Sequence, residues 1–205
     1  MKKTFLDTVA AMALMASAAQ AMEAGDFVVR GRALSVAPSE SATISGALTS
    51  DVINIDNSIV PELDFTYFFT KNISAELIAA VTPHDVHATS ANLDLGDVWL
   101  LPPTALLQYH FDTTNNFKPY VGAGVNYTVF FNEDAGSSIT DIEYDNSFGP
   151  ALQLGVDYML NDHWMLNADI KKIWINTDVS INSGAINADV DINPWVAGIG
   201  VGYKF

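Results

Sequence analysis

The sequence predicts an all-β protein, an eight-stranded antiparallel up-and-down transmembrane β-barrel. Three observations support this prediction. First, apolar and polar residues alternate with a period of two along eight segments bounded by turn residues, as strands between two different environments do. Second, the links between these segments are short and long in turn. Third, only 16% of the 205 residues are charged while an ordinary 49% are apolar, so the chain is poor in charge for a water-soluble domain.

The first four predicted strands cover residues 26–36, 60–69, 73–82 and 104–111. Each carries large apolar side chains on one face and polar side chains on the other. The apolar faces contain Phe27 and Val29, then Leu63, Phe65 and Tyr67, then Ile73, Ala75 and Leu77, and last Ala105, Leu107 and Tyr109. The opposite faces contain Arg30 and Arg32, then Glu62 and Asp64, then Ser74 and Glu76, and last Gln108 and His110.

The last four predicted strands cover residues 117–131, 148–160, 164–177 and 192–205. Their apolar faces contain Val121, Ala123 and Val125, then Leu152, Leu154 and Val156, then Leu166, Ala168 and Ile170, and last Ala197, Ile199 and Val201. Their opposite faces contain glycines in the fifth and eighth strands, and Gln153, Asp157, Asn167 and Asp169 in the sixth and seventh. The alternation changes at Lys171-Lys172, which predicts a β-bulge there.

The lengths of the links assign the two ends of the barrel. Short turns are predicted at residues 70–72, 112–116 and 161–163, and long links at 37–59, 83–103, 132–147 and 178–191. Short periplasmic turns and longer outer loops are typical of a barrel that crosses an outer membrane. We therefore expect the apolar faces to meet lipid and the glycine-rich and polar faces to line a narrow lumen. The alternative, a soluble eight-stranded barrel of lipocalin type, turns its apolar face inward.

The first segment is predicted to be a secretory signal peptide. Lys2 and Lys3 precede a small, apolar run at residues 9–19, and Ala19-Gln20-Ala21 matches a cleavage site. The predicted organisation is a signal peptide at residues 1–21 and an outer-membrane β-barrel domain at residues 22–205. The predicted location is the outer membrane of a Gram-negative cell.

Composition excludes several function classes. The net charge of −15 argues against nucleic acid as a partner, because phosphates are bound by basic patches. The chain has no cysteine, which excludes disulfide scaffolds and cysteine nucleophiles. It has four histidines, and none stands beside a serine at strand spacing, so we expect no catalytic activity.

Neither a metal nor a cofactor is predicted. His84 and His87 form a His-x-x-His pattern in a long link, but a metal site would need a third ligand, and we interpret the segment as a solvated outer loop. Asp189, Asp191 and Asn193 alternate on one strand face without the glycine-bearing loop of a calcium site.

Several stretches together resemble the OmpW family of outer-membrane proteins. They are Leu101-Pro102-Pro103-Thr104, Pro119-Tyr120-Val121-Gly122-Ala123-Gly124-Val125-Asn126-Tyr127-Thr128, Gly155-Val156-Asp157-Tyr158, Trp164 with residues 167–171, Asn193-Pro194-Trp195 and Gly200-Val201-Gly202-Tyr203-Lys204-Phe205. The resemblance implies an eight-stranded barrel with a narrow apolar interior, linked to uptake of small hydrophobic molecules; an alkane-uptake branch belongs to the same family. The carboxyl-terminal segment with Tyr203 and Phe205 resembles the assembly signal that the barrel assembly machinery recognises.

The direction of each strand sets the height of each inward side chain. A polar plug is predicted in the lower and middle lumen, formed by Arg30, Arg32, Asp64, Glu76, Asp157, Asp169 and Lys171. An apolar lining is predicted above it, formed by Ile78, Leu106 and Phe130, with Ile173 and Ile175 joining it after the bulge. A hydrophobic solute would enter from outside, meet the plug and leave sideways into lipid, where prolines interrupt strand pairing.

The expected partners are outer-membrane lipids and lipopolysaccharide, small hydrophobic solutes and the barrel assembly machinery. The alternative function is a structural or receptor barrel that acts through its outer loops.

Overall fold

The computed structural model describes residues 22–39, 41–45, 53–55, 57–88, 93–136, 139–184 and 186–205. The predicted signal peptide lies outside the described residues. The strands are β1 (Phe27–Ala37), β2 (Ser41–Ser45), β3 (Ile53–Ile55), β4 (Ser58–Phe68), β5 (Ile73–Ala80), β6 (Thr82–Ala88), β7 (Leu93–Leu101), β8 (Thr104–His110), β9 (Phe117–Ala135), β10 (Ile142–Tyr144), β11 (Ser147–Met159), β12 (Trp164–Ile173), β13 (Asn176–Ile181), β14 (Ile186–Asp191) and β15 (Trp195–Lys204). Among these residues, no helix is long and apolar enough to span a membrane.

Eight antiparallel strands close into a barrel, as the alternation predicts. Their order is β11-β12-β15-β1-β4-β5-β8-β9, and β9 pairs with β11 to complete the circle. The first and last strands of the chain lie side by side, with Val29 opposite Tyr203. The tight turns at residues 70–72, 112–116 and 161–163 lie at one end, called lower here, and the long links lie at the other, upper end.

The outer wall of the barrel is apolar, whereas the lower and middle lumen wall carries charged side chains. Leu107, Leu154 and Ile199 on the outer wall are 57–70% exposed on the isolated chain. Arg30 and Asp64, on the inward face, are fully buried. In a lipocalin-like barrel, the apolar side chains would point into the lumen and the charged ones would point outward. The structure shows the reverse, as expected for strands that turn their apolar faces to lipid.

The long links were expected to be loops, and this expectation is wrong for much of their length. β6 and β7 form a hairpin that continues the sheet by pairing with the upper part of β9, and β3 pairs with β6. A second sheet has the order β10-β13-β14-β2. The links therefore raise the wall above the barrel, because their inward side chains, such as Val98 and Val179, are apolar and buried.

The predicted bulge at Lys171-Lys172 is also wrong. Lys171 lies opposite Gln153 and Lys172 opposite Leu152 in an unbroken register. Lys171 and Ile173 both point inward and are buried. The strand therefore keeps the same alternation of inward and outward side chains. At this height the inward side chains change from polar to apolar. Register shifts occur instead at Val86/His87 and between Asp97 and Trp99.

Candidate functional site

Eight charged side chains from five barrel strands meet in the middle of the lumen. We call this set the polar plug: Arg30, Arg32, Glu62, Asp64, Glu76, Asp157, Asp169 and Lys171. Strand alternation brings them together, since inward positions on β1, β4, β5, β11 and β12 lie at similar heights. All seven predicted members lie inward and are buried. Glu62 was not predicted, although it shares the inward face of β4 with Asp64 and that pattern could have identified it.

Arg30 holds the lower part of the polar plug together. Its Nη2 lies 2.8 Å from Asp157 Oδ2, and its Nε donates to the other oxygen of the same carboxylate at 3.2 Å. Its Nη1 lies 3.1 Å from Asp64 Oδ1 and donates to Thr66 Oγ1 at 2.7 Å. The guanidinium therefore joins three strands, β1, β4 and β11, by charge-assisted hydrogen bonds.

Arg32 and Lys171 hold the upper part. Arg32 Nη2 lies 2.5 Å from Asp64 Oδ2 and 2.7 Å from Glu76 Oε1. Its Nε lies 2.8 Å from Glu62 Oε1, and its Nη1 donates to Asp169. Lys171 Nζ lies 3.0 Å from Glu62 Oε1 and 3.1 Å from Asp169 Oδ2. Each cation thus has several carboxylate partners inside the barrel.

Below and beside the polar plug, aromatic and amide side chains fill the lumen. The fully buried Tyr120 ring stands over Gly155, where an added Cβ would lie 2.3 Å from Tyr120 Cζ. Asn167 Nδ2 donates to Tyr120 Oη at 3.0 Å, and the ring of His110 stacks on Tyr120 with centroids 5.0 Å apart. Gly155 is required here because any side chain would occupy the volume of the tyrosine ring.

An apolar layer closes the lower end. It consists of Met22, Val28, Phe68, Met159 and Met165. The last four are fully buried, and Met22 is 4% exposed. Backbone bonds from Gly25 N to Phe68 O and from Phe68 N to Asp26 O hold the first described residues against this end. Buried apolar side chains therefore fill the lumen at this end of the described barrel.

The upper lumen contains two neighbouring apolar cavities. The upper one is lined by Phe130, Tyr144, Val179 and Val190 among others. The lower one is lined by Ile78, Leu100, Ile173 and Ile175 among others, and Glu62 and Lys171 contribute to its lining. Of the predicted lining residues, Phe130 therefore lies at the upper cavity and Ile78 at the lower. Leu106 is inward and buried but does not line either cavity.

The wall around the lower cavity has two interruptions in strand pairing. In the first, the β5–β8 ladder ends at Ile78–Thr104 and the β6–β7 ladder begins at Thr82–Leu100, in the same register. The residues between them include Pro102 and Pro103, which have no N–H to donate. Ala80 and Pro102 on the two sides both line the lower cavity. This part of the wall is therefore held by side-chain packing more than by ladder hydrogen bonds.

The second interruption is bridged. The β12–β15 ladder ends at Lys172–Trp195, and the β13–β14 ladder begins at Asn176–Asp191. Across it, Ile173 N donates to Pro194 O at 3.3 Å and Ile192 N donates to Ile175 O at 2.9 Å. Backbone hydrogen bonds thus keep this side of the wall closed.

His84 lies in β6 and not in a solvated loop, so that interpretation is corrected. Its side chain is 7% exposed and lines both cavities. The side chain of His87 is outside the described residues. Asp189 and Asp191, also weighed as cation ligands, accept hydrogen bonds from Asn176 Nδ2 at 2.6 and 3.2 Å.

The carboxyl terminus lies on the outer wall beside the lower turns. The Tyr203 ring packs edge to face on Trp164, with centroids 4.9 Å apart, and on Phe205 at 4.8 Å. Phe205 N donates to Phe27 O at 2.9 Å, which joins the last residue to the first strand. The predicted assembly signal is thus a surface aromatic group at the seam where the barrel closes.

The sequence is similar to that of known outer-membrane proteins. The sequence profile of a family described as the OmpW family matches residues 23–205. The uncharacterized outer-membrane protein y4mB of Sinorhizobium fredii is 41% identical over 93% of this chain and 86% of its own. Outer membrane protein W of Vibrio cholerae is 39% identical over the full length of both chains.

A solved structure and a more distant relative extend the comparison. The crystal structure of the outer membrane protein OprG from Pseudomonas aeruginosa superposes with a TM-score of 0.85, at 38% identity, over 91% of this chain and 99% of its own. The dibenzothiophene metabolism operon protein PahQ of Pseudomonas aeruginosa is 28% identical over 69% of both chains.

Proposed function

The chain belongs to the OmpW family and lies in the outer membrane, and from this premise we propose that it takes up small hydrophobic molecules. The observation that carries the proposal is the pair of apolar cavities in the upper lumen. An apolar molecule that enters them leaves water, which favours binding by roughly 25 cal/mol per Å² of apolar surface buried. The upper lumen is the binding site in this proposal, and the outside of the cell is the source of the solute.

The polar plug prevents passage straight through the barrel. Glu62 and Lys171, which contribute to the lining of the lower cavity, are 3.0 Å apart and bonded to further charged groups. An apolar solute could move past them only by separating buried ion pairs, and it has no polar atoms to replace the lost bonds. The solute must therefore return outward or leave through the wall.

We place the exit at the first interruption, between residues 79–81 and 101–103. Here the wall contains Pro102 and Pro103, and the lower cavity reaches Ala80 and Pro102. The second interruption also adjoins the lower cavity, but Ile173 and Ile192 bridge it with backbone hydrogen bonds. Opening the first interruption breaks fewer bonds, so release into the outer leaflet is expected there.

A relative's name is consistent with the class of solute. PahQ is named for an operon of dibenzothiophene metabolism, and dibenzothiophene is an apolar aromatic compound. The same kind of solute fits cavities lined by Phe130, Tyr144 and aliphatic side chains.

Uptake of a labelled alkane tests the function. Cells that produce the protein are expected to take up radiolabelled decane several-fold faster than matched cells without it. Equal initial rates, with the barrel present in the outer membrane at comparable amounts, would overturn the proposal.

A disulfide across the first interruption tests the exit. The chain has no cysteine, so Val81→Cys/Leu101→Cys introduces one defined pair. Both residues lie on the outer wall, and the shared register of the flanking ladders sets them opposite each other. Oxidation is expected to reduce decane uptake strongly and reduction to restore it. The matched control is Leu154→Cys/Ile170→Cys, an opposed outer-wall pair in an unbroken ladder, whose oxidation should leave uptake unchanged. Unaltered uptake by the oxidised first pair would place the exit elsewhere.

A further inference from the structure

We infer that Lys172 and Trp195 form a binding site on the outer wall for the phosphate head group of a lipid A molecule. The inference goes beyond solute uptake and does not rest on it. Lys172 lies opposite Trp195 in the β12–β15 ladder, and its Nζ stands over the Trp195 ring, 5.0 Å from the ring centroid. The same Nζ donates to Asn193 O. One ring and one carbonyl therefore hold the ammonium group on the outer wall.

Lys172 lies at the boundary between lipid and water. The outward side chains of β12 below it are apolar, and those of β13 above it are polar or acidic. Trp174 and Trp195, at the same height, are exposed, and tryptophan is enriched where hydrocarbon meets the head groups. Because the long links lie at this end of the barrel, these head groups belong to the outer leaflet, which lipopolysaccharide forms in an outer membrane.

Lys172 is the one basic residue of the upper outer wall. The chain has 9 Lys and Arg residues against 24 Asp and Glu residues. Three of the nine belong to the polar plug, and Lys172 stands alone at its height on the outside of the described barrel. The others are Lys2 and Lys3 in the predicted signal peptide and Lys71, Lys118 and Lys204 at the lower end.

The ammonium group of Lys172 has donors left for a ligand. It carries three N–H donors, and one of them is directed to Asn193 O. Within the described part of the chain it forms no ion pair, whereas its neighbour Lys171 is paired with two carboxylates. Asp191, an acidic residue of the wall above, lies opposite Asn176, four residues along from Lys172 and roughly 13 Å away at about 3.3 Å per residue. That distance exceeds the Debye length of about 8 Å at physiological salt.

The charges on this wall favour a phosphate at Lys172 and not higher. A phosphate oxygen accepts charge-assisted hydrogen bonds from an ammonium group. Asp178 and Asp189 are exposed, lie opposite each other above the site and repel anions. Lipid A carries its phosphates at the top of its acyl chains, so its chains can lie along the apolar wall below while a phosphate meets Lys172.

Binding of lipid A to the purified protein tests the inference. Native mass spectrometry from detergent micelles measures the affinity, with EDTA present to remove divalent cations that would bridge phosphate to the acidic wall. Lys172→Gln should weaken binding of diphosphorylated lipid A about threefold to tenfold, the size expected for one cation at a membrane surface, and Lys172→Arg should retain it. The matched control is Lys71→Gln, which removes the same charge at the lower end and should leave the affinity unchanged.

Three outcomes overturn the inference. The first is equal binding of lipid A by Lys172→Gln and by the unaltered protein. The second is equal binding of lipid A and of dephosphorylated lipid A by the unaltered protein, since only acyl-chain contact would then remain. The third is displacement of lipid A by an equal concentration of inorganic phosphate, which would mean that the site binds phosphate without lipid.

A measurement on the unaltered protein covers the case in which Lys172→Gln does not fold. In vesicles that contain lipid A, solid-state NMR of protein labelled with ¹⁵N-lysine should show dipolar coupling between ³¹P and Lys172 Nζ. Folded barrel without this coupling would contradict the inference.

Discussion

The lower and upper halves of the lumen have the same backbone and opposite chemistry. In both, every second side chain of each strand points inward. In the lower half these side chains are Arg30, Asp64 and Asp157, all fully buried, and the outer wall is apolar. In the upper half they are Val98 and Val179, also buried, and the neighbouring outward side chains are acidic, as at Asp85, Asp97 and Asp178.

The difference follows the solvent around the wall. Where lipid surrounds the barrel, apolar groups belong outside and polar groups must be paired inside. Above that height water surrounds the wall, and the strands return to the ordinary arrangement with apolar groups inside. The upper cavity is therefore the core of a water-exposed extension that stands on a lipid-embedded, polar-filled base. The lower cavity lies at the boundary between the two, where Val81 and Leu101 on the outer wall are still apolar.

The largest effect is expected from removing a cation of the polar plug. Arg32→Met leaves Glu62, Glu76 and Asp64 without their shared partner, which should cost about 3–5 kcal/mol of unfolding free energy. Urea unfolding in lipid vesicles measures this value. Leu34→Met is the control, because Leu34 is the next inward residue of β1 and lies in the apolar part of the lumen. Equal effects of the two substitutions would remove the distinction between the halves.

The second largest effect is expected from placing a polar side chain in the apolar upper half of the lumen. Ile78→Asn introduces an amide beside the lower cavity, with an expected cost of about 1–3 kcal/mol. Decane uptake should also fall, because the cavity becomes less favourable for an apolar solute. Gel mobility before and after heating shows whether the barrel still folds. Uptake and unfolding free energy that both match the unaltered protein would contradict the assignment of Ile78 to the binding cavity.

Packing in the lower half is tested at Gly155. Gly155→Ala places a methyl group against the Tyr120 ring and should cost about 1–3 kcal/mol by overpacking. Gly31→Ala is the matched control, because no atom lies within 4 Å of the Cβ that would be added there. The two variants differ only in whether the new methyl meets the filled lumen. A neutral Gly155→Ala would mean that Tyr120 has room to move.

Neutralising an acid of the polar plug should cost much less than removing a cation. Glu76 Oε2 is buried and has no hydrogen-bond partner, and the plug has more carboxyl groups than cations. Glu76→Gln keeps the shape and reduces the excess of negative charge, so a change below about 1 kcal/mol is expected. The same urea titration measures it. A loss as large as that of Arg32→Met would show that every charge is needed.

The smallest effect is expected at an exposed ion pair of the lower turns. Lys71 Nζ lies 3.0 Å from Asp112 Oδ2, with both side chains more than half exposed. Hydrogen bonds from Lys71 and Asn72 lower the pKa of the Asp112 carboxyl. Because this pKa is lowered in the folded state, the pair contributes stability above the ordinary carboxyl range and loses it as the pH falls through the lowered pKa.

Asp112→Asn should therefore scarcely change unfolding at pH 7, because water and salt screen an exposed pair. Its small effect should disappear in acid, at a pH below the lowered pKa of the Asp112 carboxyl. Unfolding curves at the two pH values measure the difference. A change comparable to that of Arg32→Met would contradict the contrast between exposed and buried pairs.

Much of the lumen could be predicted from the sequence because alternation assigns a face to each side chain without knowledge of the neighbours. Arg30, Asp64 and Asp157 were placed inward on that basis, and their burial agrees with it. The same rule failed at Lys171-Lys172. There the inward side chains change from polar to apolar, and this was interpreted as a β-bulge that exchanges the two faces of the strand. The rule was not applied to β6 and β7, because most of their residues were assigned to a long link and interpreted as an outer loop.

The pattern of residues along the chain was enough to identify eight strands, their lipid-facing sides and a charged interior, because these depend on local periodicity and on the solvent each face meets. The depth of the cavities, the position of His84 at their junction and the unequal bridging of the two wall interruptions depend on contacts between strands distant in sequence. Pro102 and Ala80 line the same cavity, and Ile192 N donates to Ile175 O, only after the barrel has closed and its register is set. Such contacts follow from shape and hydrogen bonding in three dimensions, which no single segment contains.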